Sequence, residues 1–275
     1  MTFSFHRRCV VEIGGIPIAV RTDDPRLFGL IERRYSGFLS ASPPEFEIEL
    51  QRIEQAITNP DDDVRVKRDG GEWVLQRGDF HARWNPLSRQ GTVRQDLNPY
   101  ALDSVLRILH SLILAERNGF LLHAASAICD GKGYLFSGVS GAGKTTLTRL
   151  APPDVTLLTD EISYVREALD LYSAYGTPFA GELAQPGENC STPVSALFFL
   201  EQGPENRVEE LPASEAMHRL MRNILFFADD PQLLENVLNT ACDFVSRVPA
   251  CRLVFYPDAR VWDAIRQFEG LPAYV

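Results

Sequence analysis

Residues 133–161 read GYLFSGVSGAGKTTLTRLAPPDVTLLTDE, and the order strand, glycine-rich loop, helix, strand, acidic pair within them decides the fold. Gly138-Val139-Ser140-Gly141-Ala142-Gly143-Lys144-Thr145 is a complete GxxxxGK[ST] pattern. Each part has a chemical reason. Glycines let main-chain N–H groups curl around phosphate oxygens, in conformations that a side chain would block. The helix that follows adds free donors and a favourable dipole. Lys144 can reach the terminal phosphates of a nucleoside triphosphate, and the Thr145 hydroxyl can ligate Mg²⁺. A glycine-rich strand-to-helix turn can match the pattern without ever meeting phosphate. Here the apolar GYLFSG before the loop and the helix-forming TTLTRLA after it favour phosphate. The predicted nucleotide-binding residues are Gly138, Val139, Ser140, Gly141, Ala142, Gly143, Lys144, Thr145 and Thr146.

Downstream, the apolar VTLLT ends in Asp160-Glu161. A carboxylate at the end of a strand is the usual second half of a phosphate-loop site, where it serves Mg²⁺ or accepts the proton of an attacking hydroxyl. Neighbouring strand residues point to opposite faces, so one of the two carboxylates suffices. Upstream, His123 lies in the uncharged run FLLHAASAIC, joined by a DGKG turn to GYLFSG. That turn predicts a hairpin with His123 in the strand beside the phosphate-loop strand. His6, His81, His110 and His218 read as structural or exposed residues.

Composition narrows the partners. The chain has 275 residues, a formal charge of −10 and 45% hydrophobic residues, so a globular core is expected. The acidic excess lies almost wholly in residues 97–275, and an acidic protein is a poor binder of nucleic-acid phosphates. No apolar run reaches the ~18 residues that a membrane helix needs, and MTFSFHRRCVVEIGG lacks the apolar core of a secretory signal. A cytoplasmic protein without membrane or nucleic-acid partners is predicted, a homo-oligomer being compatible with it. The five cysteines form no CxxC pair and read as buried free thiols. Of the basic residues only Lys67, Lys132 and Lys144 are lysines. The compact ammonium is retained at the phosphate loop, where a planar guanidinium fits poorly.

Working outward, residues 1–96 read as a β-rich domain with one helix, which Asp24 caps and Pro25 opens. Gly14-Gly15 marks a hairpin, and Phe46, Ile48 and Leu50 alternate with glutamates. Residues 97–275 open on a long helix from Pro99, which Gly119 is placed to stop. Further helices are predicted over 213–227, after Asp230-Pro231 and over 258–268. The Gly- and Pro-rich loop 177–189 is placed to close over a substrate. Arg219 and Arg222 read as a solvated helix face that could also approach a phosphate.

LLHAASAI, DGKGYLFSGVSGAGKTTLTRL and VTLLTDE together resemble the catalytic domain of the HPr kinase/phosphorylase family, in the same order and at similar spacing. AYGTPFAGE and PVSALFFLEQG look like the downstream part of HPr kinase-related proteins. The resemblance implies an α/β (α+β) fold: a phosphoenolpyruvate carboxykinase-like P-loop core with a mixed sheet, behind a smaller β-rich domain. It implies ATP and Mg²⁺ as cofactors and transfer of the γ-phosphate to a serine hydroxyl of a small protein or peptide. It gives Asp160 the role of catalytic carboxylate, Lys144 and Thr145 the phosphates and metal, Glu161 a metal or supporting role, and His123 that of adjoining Asp160 and orienting or tuning it. The acidic pair is Asp-Glu where the family has Asp-Asp, and Thr145 stands where it usually has Ser. The glycine motif that supports dephosphorylation is missing, so an HPr kinase-like serine kinase is the reading. A small-molecule kinase and a nucleotide-binding regulator that transfers nothing are the alternatives. The N-terminal domain is the candidate for acceptor recognition.

Overall fold

The computed structural model describes residues 7–54 and 63–268; His6 lies outside them. The N-terminal sheet starts with β1 (Arg7–Ile13) and β2 (Ile16–Thr22). Ile13 pairs directly with Ile16, so Gly14 and Gly15 form a two-residue turn, with φ of 62° and 69°. Positive φ at both positions suits glycine and matches the strand twist. Helix α1 (Pro25–Arg34) follows, and the Asp24 carboxylate accepts from the N–H groups of Arg26 (2.7 Å) and Leu27 (3.1 Å). Such a cap stabilises a helix by about 1 kcal/mol. Then come β3 (Phe46–Arg52), β4 (Arg65–Asp69), β5 (Glu72–Arg77), β6 (Phe80–Asn85), β7 (Gln90–Gln95) and α2 (Pro99–Ala115). The seven strands order as β1-β2-β3-β7-β6-β5-β4, with β3 parallel to both its neighbours and the other pairs antiparallel. Ile18, Val20, Ile48, Leu50, Leu75 and Val93 are buried, and Leu27 and Ile31 bury one side of α1.

The chain divides into two units, Met1–Leu112 with Phe227–Asp230, and Ile113–Phe226 with Pro231–Val275. The composition shift at residue 97 falls just ahead of α2, whereas the units part inside that helix. Contacts explain the difference: Asp103 on α2 accepts from Arg34 (2.6 Å) and from the Tyr35 hydroxyl (2.6 Å) of the N-terminal unit. A charge count along the chain does not see such a tie.

The second unit runs β8 (Gly119–Cys129), β9 (Lys132–Ser137), α3 (Lys144–Arg149), β10 (Thr156–Thr159), β11 (Ile162–Ala168), β12 (Leu171–Tyr175), β13 (Ser191–Gln202), β14 (Arg207–Glu210), α4 (Ala213–Met221), β15 (Ile224–Leu225), α5 (Pro231–Arg247), β16 (Ala250–Phe255) and α6 (Val261–Arg266). Its nine strands form a mixed sheet in which β9, β13 and β16 run parallel. Strand alternation sorts the core into two faces. Leu122, Leu135, Leu197 and Phe199 lie with Leu220 of α4 and Phe244 of α5. Tyr134, Phe136 and Phe198 lie with Leu147 of α3 and Trp262 of α6. Helices therefore cover both faces.

Three sequence expectations change. The helix predicted over 213–227 ends at Met221, because Ile224 and Leu225 pair with Leu122 and Leu121 of β8. The one predicted over 258–268 is limited to Val261–Arg266. Gly119 does not stop α2: Asn118 takes the left-handed conformation there (φ 50°), and Gly119 opens β8, where a Cβ would sit 2.6 Å from the Val165 carbonyl oxygen. The thiols also divide. Cys129 and Cys251 are buried and Cys9 is half-buried, but Cys190 and Cys242 are exposed. No helix among the described residues is long and apolar enough to cross a membrane.

Candidate active site

Parallel strands build the site. The register Phe199↔Ser137 and Gln202↔Phe255 brings the carboxyl ends of β9, β13 and β16 together. Ligands of open α/β sheets lie outside such ends. The phosphate loop leaves β9 here and enters α3 at Lys144. Gly143 has φ 108°, and a Cβ on it would lie 2.4 Å from the Phe255 ring, so backbone conformation and space both require glycine. The Gln202 amide donates to the Gly141 carbonyl (2.9 Å) and clamps the loop from β13.

A cavity of about 370 Å³ opens over the loop. Ser140, Gly141, Gly143, Lys144, Thr145 and Thr146 line it, together with His123, Asp160 and Glu161. Gly138, Val139 and Ala142 do not line it. Gly138 supplies a carbonyl that accepts from Lys144 Nζ (2.8 Å), Ala142 is buried in the core, and the Val139 side chain stands 65% exposed. Any contribution from Val139 rests on its main chain.

Lys144 is buried, and desolvation pushes its ammonium below the ordinary lysine range while Glu161 and Glu182 oppose that shift. The carboxylates favour the charged form, which is the form that binds phosphate. His123 is half-buried. Burial, and then the charge of Lys144, holds its imidazole below the ordinary histidine range. It sits where β8 changes partners: Gly119–His123 pair with β11, and Ala124–Cys129 with β9. Its N–H donates to the Asn223 carbonyl (2.8 Å).

Asp160 and Glu161 sit in a bend between β10 and β11, not within a strand, and both line the cavity. The opposite-faces rule therefore does not apply to them. The Thr159 hydroxyl shapes the bend by accepting from the N–H groups of Glu161 (3.3 Å) and Ile162 (3.2 Å). Asp160 is buried, and its two oxygens accept from the N–H groups of Gly181 (2.8 Å) and Leu183 (2.9 Å). His123 makes no hydrogen bond to Asp160 among the described residues, so main chain, not imidazole, orients that carboxylate.

The loop expected to close over a substrate is strapped down. Besides its bonds to Asp160, Thr177 N–H donates to Leu158 O (3.0 Å) and Glu188 N–H to Leu157 O (3.1 Å). It carries Gly181 and Glu182 to the cavity wall. These two and Gln202 lie within AYGTPFAGE and PVSALFFLEQG, but their place in the site escapes motif reading, because only tertiary pairing brings them in. Arg219 is taken up by Glu201 (2.7 Å) and Glu215 (2.6 Å), the solvated-face reading. Lys67 and Lys132 are exposed.

Among the described residues no group of three or more His, Cys, Asp or Glu could hold a metal by itself. A divalent cation carried in with a nucleotide needs only one or two protein groups besides phosphate oxygens. The Thr145 hydroxyl, with Asp160 and Glu161 across the same cavity, fits that demand.

Comparison with curated proteins finds no match. Among solved structures, an HPr(Ser) kinase/phosphatase from Coxiella burnetii matches at 15% identity and a TM-score of 0.25, over 43% of this chain and 87% of that one. So low a TM-score leaves the HPr kinase resemblance resting on the motif residues alone. A family model described as SynChlorMet cassette protein ScmC matches residues 91–269, well over half of the chain and all of the site just described. The chain belongs to the SynChlorMet cassette protein ScmC family.

Proposed function

We propose that the protein is an ATP-dependent kinase, HPr kinase-like in its core, that transfers the γ-phosphate to a serine hydroxyl of a small protein or peptide. One observation carries this reading: Lys144, Thr145 and Asp160 face a single cavity at the ends of parallel strands. In it, the loop N–H groups and Lys144 hold the β- and γ-phosphates. Thr145, with Glu161, would hold the divalent ion that arrives with them, whose charge would offset that of the phosphates. Asp160 lines the same cavity, already aimed by the Gly181 and Leu183 N–H groups. It orients the incoming hydroxyl and takes its proton as the oxygen attacks the γ-phosphorus, whose bond to the bridging oxygen breaks and releases ADP. His123 lines the same cavity, where burial and then Lys144 hold its imidazole below the ordinary histidine range.

A second reading has its own support. The same two bonds from Gly181 and Leu183 link Asp160 to loop 177–189, a route by which a nucleotide-binding regulator would signal occupancy without transfer. Transfer itself separates the two. The full chain is incubated with ATP and Mg²⁺ and the other products of its cassette, and each is weighed intact. One product gains the mass of a phosphate, and Asp160→Asn slows that gain by about 10²–10⁴-fold while nucleotide is still bound. If wild-type protein marks none of them, the kinase reading falls.

A further inference from the structure

Asp160 also borders a second cavity, of about 510 Å³, which no phosphate-loop residue lines. Its floor is β10, the last strand of the sheet, and its far wall is loop 183–190. The wall is fixed before anything binds. Gly187 approaches β10 so closely that a Cβ would fall 1.7 Å from the Leu158 carbonyl oxygen, and its N–H donates to Thr177 O (2.9 Å). Binding sites are largely pre-formed hollows of this size.

The two cavities differ in their cationic groups. The phosphate-loop cavity sets Lys144 and His123 among Asp160, Glu161 and Glu182. Asp160 and Glu188 line the second, with the amides of Gln185 and Asn189 and the apolar Leu157 and Pro186, and no Lys, Arg or His. A hollow lined in this way repels a polyanion and accommodates a neutral or cationic chain. An acceptor must bring its hydroxyl to Asp160 from outside the nucleotide. Resting on the kinase reading, we propose that this second cavity is the acceptor groove, that it takes a serine-bearing peptide segment with neutral or basic flanks, and that Glu188 selects the basic flank.

Two nonapeptides test this, each with one central serine, flanked by arginines in one and glutamates in the other, and each carrying a photo-crosslinker. They are offered to the full chain bound to a non-hydrolysable ATP analogue. The arginine peptide should bind about tenfold more tightly and crosslink within 183–190. Glu188→Gln should erase that preference and Glu188→Lys reverse it, with thermal midpoint and analogue affinity held. Equal binding of both peptides, binding of neither, crosslinks elsewhere, or a preference that survives Glu188→Lys would each overturn the groove. Replacing the analogue by ATP tests the other reading separately. Groove binding without phosphate on the serine leaves the groove standing and removes the kinase. Phosphate on the serine with no response to Glu188 does the reverse.

Discussion

Each unit holds a cation and a buried carboxylate, and it uses them differently. In the N-terminal unit Arg34 and Asp103 bond directly at 2.6 Å, and the Tyr35 hydroxyl fills another oxygen of Asp103. Burial and the neighbouring Asp103 push the Tyr35 phenol well above its ordinary range, so it stays a donor. In the second unit Lys144 and Asp160 are both buried, and each is satisfied by main chain: Gly138 O for one, the N–H groups of Gly181 and Leu183 for the other. A side-chain pair that closes on itself is structure. Charges held by backbone keep their remaining donors and lone pairs for a ligand.

Substitutions separate the two arrangements. Asp103→Ala leaves Arg34 and Tyr35 without their partner in a buried setting. It should cost about 3–5 kcal/mol of stability, read as a shifted denaturant midpoint, with nucleotide affinity of the surviving folded protein unchanged. Lys144→Met should do the opposite. Loss of a preorganised phosphate contact should lower transfer by about 10²–10³-fold, roughly 3–4 kcal/mol. Folding stability should move by less than about 1 kcal/mol, because removing a desolvated ammonium offsets the lost bond to Gly138. A Lys144→Met protein that melts like Asp103→Ala would erase the distinction.

The loop itself gives a smaller effect. Gly143→Ala forces a non-glycine residue to φ 108° and a methyl group against Phe255, and should cost about 1–3 kcal/mol. Adding Phe255→Leu should recover only the part due to contact. Full recovery of nucleotide binding in the double variant would mean that the positive φ does not matter.

The phosphate loop, the strand before it and the DGKG hairpin were legible in the sequence because each is local: glycines, an apolar run and a two-residue turn act within a few positions. Asp24 capping α1 and Gly14-Gly15 closing the first hairpin were legible for the same reason. Gly181, Glu182 and Gln202 were not, because they reach the cavity through pairings between distant segments. Helix α4 was overextended because Ile224 and Leu225 suit a helix and a strand alike, and β8 decides between them. The bonds from the Gly181 and Leu183 N–H groups to Asp160 were not legible either, because a motif carries no main-chain hydrogen bonds.

His123 gives the smallest effect and the finest test of the contrast. Its folded pKa lies below the ordinary 6.5, owing to burial and then to Lys144, so the folded protein prefers the neutral ring. The stability it contributes is present above pH 6.5 and is lost as pH falls through the depressed folded value. A polyphosphate beside it acts with the opposite sign, favouring the imidazolium and raising that pKa. Nucleotide binding near pH 6 should therefore take up protons, seen as a binding heat that changes with the ionisation enthalpy of the buffer, and His123→Asn should abolish the uptake. The Arg34–Asp103–Tyr35 set has no comparable response, since burial and mutual bonding hold Tyr35 neutral and Arg34 charged at that pH. Proton uptake that persists in His123→Asn would place the titrating group elsewhere, and His123 would then be a structural residue of β8.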